Sequence, residues 1–143
     1  MFYLKIFFTI VIAVMVCFLG LELLNQKRNL QYAANAYLIE GLSISGQVKA
    51  QIDVYFSING EFPSSNQQLG IASPEQYRGQ SLTSLHVSEA GIITLTYNKK
   101  SGVHNGVIQL KPEPSDTIGI RWQCRTPNYQ SLSPCEYNQQ LFL

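Results

Sequence analysis

Hydrophobic positions are most concentrated near the start of the chain, in a run of nineteen residues, 6–24, where Glu22 is the only charged residue. As an α-helix this run measures about 28 Å, close to the roughly 30 Å hydrocarbon thickness of a bilayer. A carboxylate near one end of the run lies at the interface, where it costs little. The pattern therefore predicts that residues 1–28 form a transmembrane helical segment with basic flanks. The flanking basic residues are Lys5, Lys27 and Arg28.

Two other uses of the apolar run compete with an uncleaved anchor. A cleaved secretory signal needs small residues soon after its apolar core, and the best match, Ala34-Asn35-Ala36, comes too late. A lipoprotein would be modified at Cys17, but Val16 is larger than the small residue that usually precedes such a cysteine. We therefore expect the run to remain as an anchor. Basic residues on both flanks give almost no preference for its orientation.

The chain that follows the apolar run has a helical period. No proline occurs between residues 24 and 58, and apolar or small residues recur at steps of three or four, as on one face of an α-helix. These positions are Tyr37, Gly41, Ile44, Val48, Ile52 and Tyr55. Asn59-Gly60 and then Pro63 predict the end of the helix. One helix is thus predicted from about residue 4 to residue 57, with an amphipathic second half.

Beyond the helix, the pattern changes to a polar loop over residues 59–81 and then to short alternating segments separated by turns. Four sequential strands joined by tight turns form an antiparallel meander, one face of which would cover the apolar stripe of the helix. The predicted fold class is α+β, with residues 29–143 as a globular head. The predicted strands are 82–87, 92–97, 107–110, closed by Pro112 and Pro114, and 118–123, with Ile118, Ile120 and Trp122 on one face.

Composition excludes several classes of function. Charged residues make up 13% of the chain, about half the roughly 25% of a typical soluble domain. Seven basic and eight acidic residues follow position 28, so the head has no overall positive field for nucleic acid. His86 and His104 are isolated, and the sequence offers no pattern for a metal, a cofactor or a catalytic group. We therefore expect a protein that is not an enzyme.

The cysteines indicate a compartment. Cys124 and Cys135 lie close together in a turn-rich C-terminal segment, which fits a disulfide in an oxidising compartment outside the cytoplasm. Two unrelated buried thiols remain the alternative. Cys17 lies within the anchor, where we expect it to act as an inert small hydrophobe.

Several short words of sequence occur in order between residues 33 and 135. They are Glu40-Gly41-Leu42-Ser43, Gly60-Glu61-Phe62-Pro63, Gly70-Ile71-Ala72-Ser73-Pro74, Gly91-Ile92-Ile93-Thr94-Leu95-Thr96-Tyr97, Ile120-Arg121-Trp122-Gln123-Cys124 and Leu132-Ser133-Pro134-Cys135. Together they resemble the type IV pilins of Gram-negative bacteria. The resemblance implies a type IV pilin-like fold, with a long N-terminal helix packed on a four-stranded antiparallel sheet and a C-terminal disulfide loop.

The N-terminal segment departs from the pilin pattern. Aligned on Glu40-Gly41-Leu42, Lys5 stands where prepilin peptidase needs a Gly, and Ile10 stands where pilins carry a Glu. That Glu is thought to pair with the terminal amine of a neighbouring subunit, and a carboxylate in lipid is costly until it is paired. From these departures we expect the chain to stay in the inner membrane rather than become a standard filament subunit. A true start elsewhere, or a recombined gene, is the alternative.

The resemblance implies a structural or accessory pilin-like protein that contributes to pilus assembly and cell adhesion. We expect a single-pass protein of the bacterial inner membrane with its head in the periplasm. Its expected partners are membrane lipid and other pilin subunits or assembly proteins, reached through the N-terminal helix. The alternatives are a minor pilin acting as an adhesin or in DNA uptake through the disulfide loop, and a silent cassette. Candidate surface contacts are Arg121, Arg125, Asn128, Tyr129, Lys99 and Lys100.

Overall fold

A computed structural model describes residues 2–116 and 119–142, apart from the side chain of Phe2. The chain divides into two compact units, Met1–Ala33 and Ala34–Leu143. One helix, α1, runs over Phe2–Asn59 and belongs to both units. This confirms the single long helix predicted from the absence of proline and the helical period.

The N-terminal unit is the apolar part of α1. Its most apolar 18-residue stretch has a mean hydropathy of 2.6 and none of it is buried against protein. Large side chains such as Phe7 and Leu24 are 65% and 63% exposed. The helix is therefore long and apolar enough to cross a membrane, since such exposed apolar surface needs lipid or protein to cover it.

The C-terminal end of α1 lies where the sequence predicts it, within two residues. The helix ends at Asn59, and Gly60 follows with a φ of 71°. The Gly60 N–H donates to the Phe56 carbonyl at 2.8 Å, so it satisfies one of the carbonyls that a helix end leaves free. A left-handed φ of this kind favours glycine, which explains the Asn-Gly signal.

The rest of the second unit is one five-stranded sheet in the order β1-β2-β3-β4-β5. The first four strands pair antiparallel, and β5 pairs parallel with β4. This confirms the α+β pilin-like fold and adds a fifth strand, whose two residues are too short for any pattern to predict. The strands are β1 Leu82–Ser88, β2 Ile92–Tyr97, β3 Gly106–Ser115, β4 Gly119–Thr126 and β5 Glu136–Tyr137.

The predicted end of the third strand is wrong. Pro112 and Pro114 do not close β3, which continues through both of them to Ser115. Pairing with β2 stops at Leu110, and beyond that point β3 pairs only with β4. A strand with one free side tolerates prolines whose nitrogens face that side, and prolines two residues apart face the same side.

The fourth strand is longer than predicted and ends at Thr126 rather than at Gln123. Its predicted first residue, Ile118, lies outside the described residues. Ile120 and Trp122 are both half-buried, in agreement with a shared face.

The core lies between the second half of α1 and one face of the sheet. From α1, Val48 and Ile52 of the predicted stripe are 2% and 0% exposed. Leu38 and Ser45 are also buried, at 1% and 0%, although the predicted stripe omits them. Sheet side chains complete the core: Leu82, Leu85, Val87, Ile93, Leu95, Tyr97, Ile108 and Leu110.

Candidate functional site

A close approach of Tyr97 to α1 locks the helix to the sheet. The Tyr97 hydroxyl donates to the Leu38 carbonyl at 3.2 Å, and the ring lies directly over Gly41. A Cβ at Gly41 would come within 2.7 Å of two Tyr97 ring carbons, a separation that real Cβ atoms do not show. The glycine of the Glu40–Ser43 word is thus required by packing.

The glutamate of the same word ties the loop before β1 to the helix. The Glu40 carboxylate accepts hydrogen bonds from the backbone N–H of Gln80 at 3.0 Å and of Ser81 at 3.4 Å. Ser81 also donates its hydroxyl to the Tyr37 carbonyl at 2.9 Å. A Cβ at Gly79 would lie 2.7 Å from the carboxylate, so a larger residue there would displace the Glu40 side chain.

The structure joins Cys124 of β4 to Cys135, the residue before β5, in a disulfide. Both cysteines are partly buried and pack against the core, as does Leu132, which is 5% exposed. Among the described residues, Cys17 is the one cysteine outside this bridge, and it is exposed. We call the bridged residues 124–135 the disulfide loop. Because both cysteines pack against the core, the two ends of this loop are held in place.

Tyr129 was predicted as a surface contact, and the structure contradicts this. Its side chain is 8% exposed, its hydroxyl lies 2.7 Å from that of Ser101, and its ring meets Tyr97 edge-on at 6.3 Å. Gly106 leaves room for it, because a Cβ there would lie 2.6 Å from Cζ of Tyr129. From sequence, an aromatic residue in a turn-rich loop is expected to be exposed. Here the buried Tyr129 side chain holds the loop against the rest of the head. Burial raises the pKa of the Tyr129 hydroxyl, and the hydrogen bond with Ser101 opposes that shift.

Asn128 is exposed but also has a structural task. Its side-chain carbonyl accepts from the Val107 N–H at 2.8 Å, and the Thr126 hydroxyl donates to the Val107 carbonyl at 2.7 Å. These bonds extend the pairing at the start of β3. Together with Tyr129 they hold the disulfide loop against the turn between β2 and β3.

Arg125 is engaged by the C-terminal segment. Its guanidinium lies 3.9 Å from the Glu136 carboxylate and 3.5 Å from the Gln140 carbonyl, and it stacks 4.2 Å above the Phe142 ring. Phe142 also donates its backbone N–H to the Gln109 side chain at 2.7 Å. Sequence patterning gives no signal for this contact, because the last residues carry no periodicity.

The remaining candidate cations fall at the two ends of β3. Lys99 and Lys100 are exposed in the turn that precedes β3. Arg121 is exposed in β4 opposite Glu113, close to the turn that follows β3. The structure therefore does not bring Arg121 together with the two lysines in one patch.

An apolar groove on the outer side of α1 was not predicted. It has a volume of about 410 Å³, and Val54 and Ile58 beside it are 59% and 77% exposed. A prediction built on one buried stripe passes over it, although the spacing of Ala50, Val54 and Ile58 is itself helical. The full lining is Ala50, Gln51, Val54, Tyr55, Ile58, Asn59 and Leu69.

In the part of the chain that the structure describes, no group of three or more His, Cys, Asp and Glu side chains could hold a metal ion. His86 lies in β1 and His104 in the turn before β3.

A long N-terminal helix, an antiparallel-rich sheet and a C-terminal disulfide define a class of α+β filament proteins. A sequence model of the bacterial filament family Pilin matches residues 34–138. A fimbrial protein of Neisseria meningitidis serogroup A is 28% identical over 100 residues, covering 67% of this chain and 57% of that protein. Fimbrial protein EcpC of Eikenella corrodens is 32% identical over 100 residues, covering 65% of this chain and 63% of that protein.

The family match covers well over half of the chain, so this protein belongs to the type IV pilin family. The chain spans about six-tenths of the length of the two curated relatives that it matches.

Proposed function

We propose that this chain is a membrane-anchored structural or accessory protein of the type IV pilus that contributes to pilus assembly and cell adhesion. One observation carries the proposal: a pilin head shares a continuous helix, Phe2–Asn59, with an apolar segment that none of the described residues buries. Such a segment is stable in lipid or against other apolar helices. A pilin-type protein thus has both an anchor and a contact surface in one element.

The outer groove of α1 supports a contact with other pilin subunits. Exposed apolar surface such as that of Val54 and Ile58 commonly marks a site of protein association. A contact along the β1 edge of the sheet is less suited to the task, because the side chain of Asn66 occupies that edge, where it accepts from Val87 N and donates to Leu85 O. The proposed partners are therefore helices of other pilins or of assembly proteins.

The proposed location is the bacterial inner membrane, with the head in the periplasm. The Cys124–Cys135 disulfide supports this side of the membrane, because disulfides persist in oxidising compartments. Protease treatment of spheroplasts tests it: the head should be digested while the membrane stays intact. Protection of the head until the membrane is lysed would place it in the cytoplasm.

Site-specific photo-crosslinking tests the proposed partner. A photoreactive residue is placed at Phe8 or Phe18 in the apolar segment and, as a control, at the exposed Glu75 in the loop before β1. In cells that produce pilins, the two helix positions should yield adducts with a pilin subunit and the loop position should not. Absence of pilin adducts from both helix positions would refute contact through this segment.

The second candidate is a minor pilin whose disulfide loop is the binding module for adhesion or DNA uptake. Tyr129 and Asn128 hold this loop in a fixed position. This favours the second candidate, because a pre-organised loop loses less conformational entropy on binding. The near balance of charge in the head favours an adhesive target over nucleic acid. Exchange of exposed Gln130 and Ser131 for Ala should lower adherence of piliated cells without lowering pilus number, and unchanged adherence would exclude the loop.

A further inference from the structure

The disulfide loop supports the residues that hold α1 at the start of the second unit. Tyr129 lies near the middle of the loop, and its side chain is 8% exposed. Its hydroxyl lies 2.7 Å from the Ser101 hydroxyl, and its ring meets the Tyr97 ring edge-on at 6.3 Å. Each of these two neighbours is in turn connected to residues 34–41 of α1.

The first connection runs through Tyr97. The Tyr97 hydroxyl donates to the Leu38 carbonyl at 3.2 Å, and a Cβ at Gly41 would lie 2.7 Å from two carbons of the Tyr97 ring. Tyr97 and Leu38 are 0% and 1% exposed. Because a packed interior transmits displacement, a shift of Tyr129 removes one of the neighbours that fix the Tyr97 ring against the helix.

The second connection runs through the turn between β2 and β3. Ser101 in this turn is 2% exposed, and the residues on either side of it reach α1. A Cβ at Gly102 would lie 3.6 Å from the Ala34 side chain, and the Lys100 ammonium lies 5.9 Å from the centre of the Tyr37 ring. The turn that the disulfide loop supports therefore contacts α1 about one helical turn before the Tyr97 contact.

The later part of α1 is held differently. Val48 and Ile52 are 2% and 0% exposed and belong directly to the core cluster that contains Leu95 and Ile108. Neither of the two connections from Tyr129 includes them. A movement of the disulfide loop should therefore loosen residues 34–41 and leave the later part of the helix in place.

We propose that the disulfide loop is a redox-operated latch on α1: the oxidised loop holds residues 34–41 against the sheet, and reduction of the Cys124–Cys135 bridge releases them. A dithiol breaks the S–S bond by thiol–disulfide exchange, so that both cysteines become thiols and the dithiol becomes a disulfide. The bridge joins residues 11 positions apart. Without it the loop regains conformational freedom, which opposes the burial of Tyr129.

Two-dimensional amide NMR of the full chain in detergent micelles, before and after reduction with dithiothreitol, tests the proposal. The amides of Leu38 and Gly41 should shift, because the Tyr97 ring lies over Gly41 and its hydroxyl bonds Leu38. Gly46 is the matched control on the same helix, since a Cβ there would meet nothing within 4 Å. Its amide and that of Ile52 should keep their positions. An unchanged Gly41 amide in the reduced chain, or equal shifts of Gly41 and Gly46, would overturn the latch.

Variants of the oxidised chain test the latch without depending on the fold of the reduced chain. Ser101→Ala and Tyr129→Phe each remove one hydroxyl of the pair that joins the loop to the turn. Both should shift the Gly41 amide in the direction that reduction shifts it, by a smaller amount. Tyr137→Phe removes a hydroxyl from an exposed tyrosine of β5 and should leave Gly41 unchanged. Cys17→Ser should respond to reduction as the native chain does, because Cys17 lies outside the bridge.

Three results from these variants would overturn the proposal. The first is an unchanged Gly41 amide in both Ser101→Ala and Tyr129→Phe. The second is a Gly41 shift of the same size in Tyr137→Phe, which would show that any lost tyrosine hydroxyl has this effect. The third is loss of the response to dithiothreitol in Cys17→Ser, which would assign the response to the wrong cysteine.

Discussion

Two glycines on α1, Gly41 and Gly46, lie in different packing environments. Gly41 lies under the Tyr97 ring, where the sheet comes closest to the helix, whereas a Cβ at Gly46 would meet nothing within 4 Å. The sequence places Gly41 on the buried stripe, but it gives no means of knowing that an aromatic ring occupies the space. That space is set by a contact between residues 56 positions apart, which periodicity cannot report.

The two glycines therefore predict opposite effects of the same substitution. Gly41→Ala should lower the free energy of unfolding by about 1–3 kcal/mol, because the added methyl overpacks the contact with Tyr97. Gly46→Ala should raise it by about 0.5–1 kcal/mol, because alanine has the higher helix propensity. Urea unfolding followed by the fluorescence of Trp122, the single tryptophan, measures both. A loss of equal size in both variants would contradict the assigned packing.

Tyr97 and Tyr129 predict a loss of stability at alkaline pH. Burial raises the pKa of both hydroxyls, that of Tyr97 well above its ordinary value, and the neighbouring Tyr129 and Glu40 raise the pKa of Tyr97 further. The folded state thus keeps its protons above about pH 10, where tyrosines of the unfolded chain release theirs. This contribution to stability is complete below about pH 10 and declines as pH rises above it.

Ultraviolet titration of phenolate checks this prediction. Tyr97 and Tyr129 should ionise only above about pH 10, together with loss of the folded near-ultraviolet signal. Tyr97→Phe should reduce the steepness of that loss, although it also removes the bond to Leu38. Ionisation of all eight tyrosines in one step near pH 10 would contradict their burial.

At the scale of elements, the free edge of β1 is closed by a single side chain. Asn66 is 5% exposed, accepts from Val87 N at 2.6 Å and donates to Leu85 O at 3.1 Å and Ala72 O at 2.9 Å. It therefore makes the bonds that a neighbouring strand would make. An open edge invites pairing with other chains, and this one is protected.

Asn66→Ala should destabilise the head by about 1–3 kcal/mol, because it leaves a buried N–H and carbonyl without a partner. It should also promote aggregation on partial unfolding. Gln67→Ala, at the exposed neighbouring position, is the control and should change neither property. Chemical unfolding and light scattering measure the two effects, and equal behaviour of the two variants would remove the assigned role of Asn66.

The disulfide loop predicts a second effect at this scale. Serine at both Cys124 and Cys135 should lower stability by about 3 kcal/mol, the value expected from loop entropy for a bridge of this span. Cys17→Ser should have no such effect, since Cys17 lies outside the bridge. Unfolding of the three forms under identical conditions gives the comparison, and a double variant as stable as the native chain would contradict a stabilising bridge.

The elements differ in how far the sequence predicts them. The first two strands are bounded by turns such as Ala90-Gly91, and their predicted limits match the structure within one residue. The predicted β3 is too short because prolines usually end a strand. The second half of β3 pairs on one side only, and such a strand accepts prolines. β5 and the Phe142 contact depend on partners far along the chain, so local pattern cannot predict either.

At the scale of the whole molecule, family membership and the exposed apolar helix lead to the same kind of function. The head carries the pilin core and disulfide loop, and the apolar segment is long and apolar enough to cross a membrane. The sequence predicts both parts, since one depends on local words and the other on composition. It predicts the surface contacts less well: Tyr129 is buried, Arg125 is engaged by the C-terminal segment, and the outer groove of α1 becomes visible only in three dimensions.

The central claim is that this chain works as a component of the type IV pilus. Mass spectrometry of sheared filaments and of crosslinked membrane complexes from the same cells tests it most directly. We expect head peptides of this chain together with pilin subunits in at least one of the two fractions, and their loss from the complexes when the apolar residues Phe7 and Phe8 are replaced by Asn. The claim would be contradicted if the chain were recovered from membranes, its crosslinked complexes contained no pilin subunit, and the sheared filaments contained no peptide of this chain.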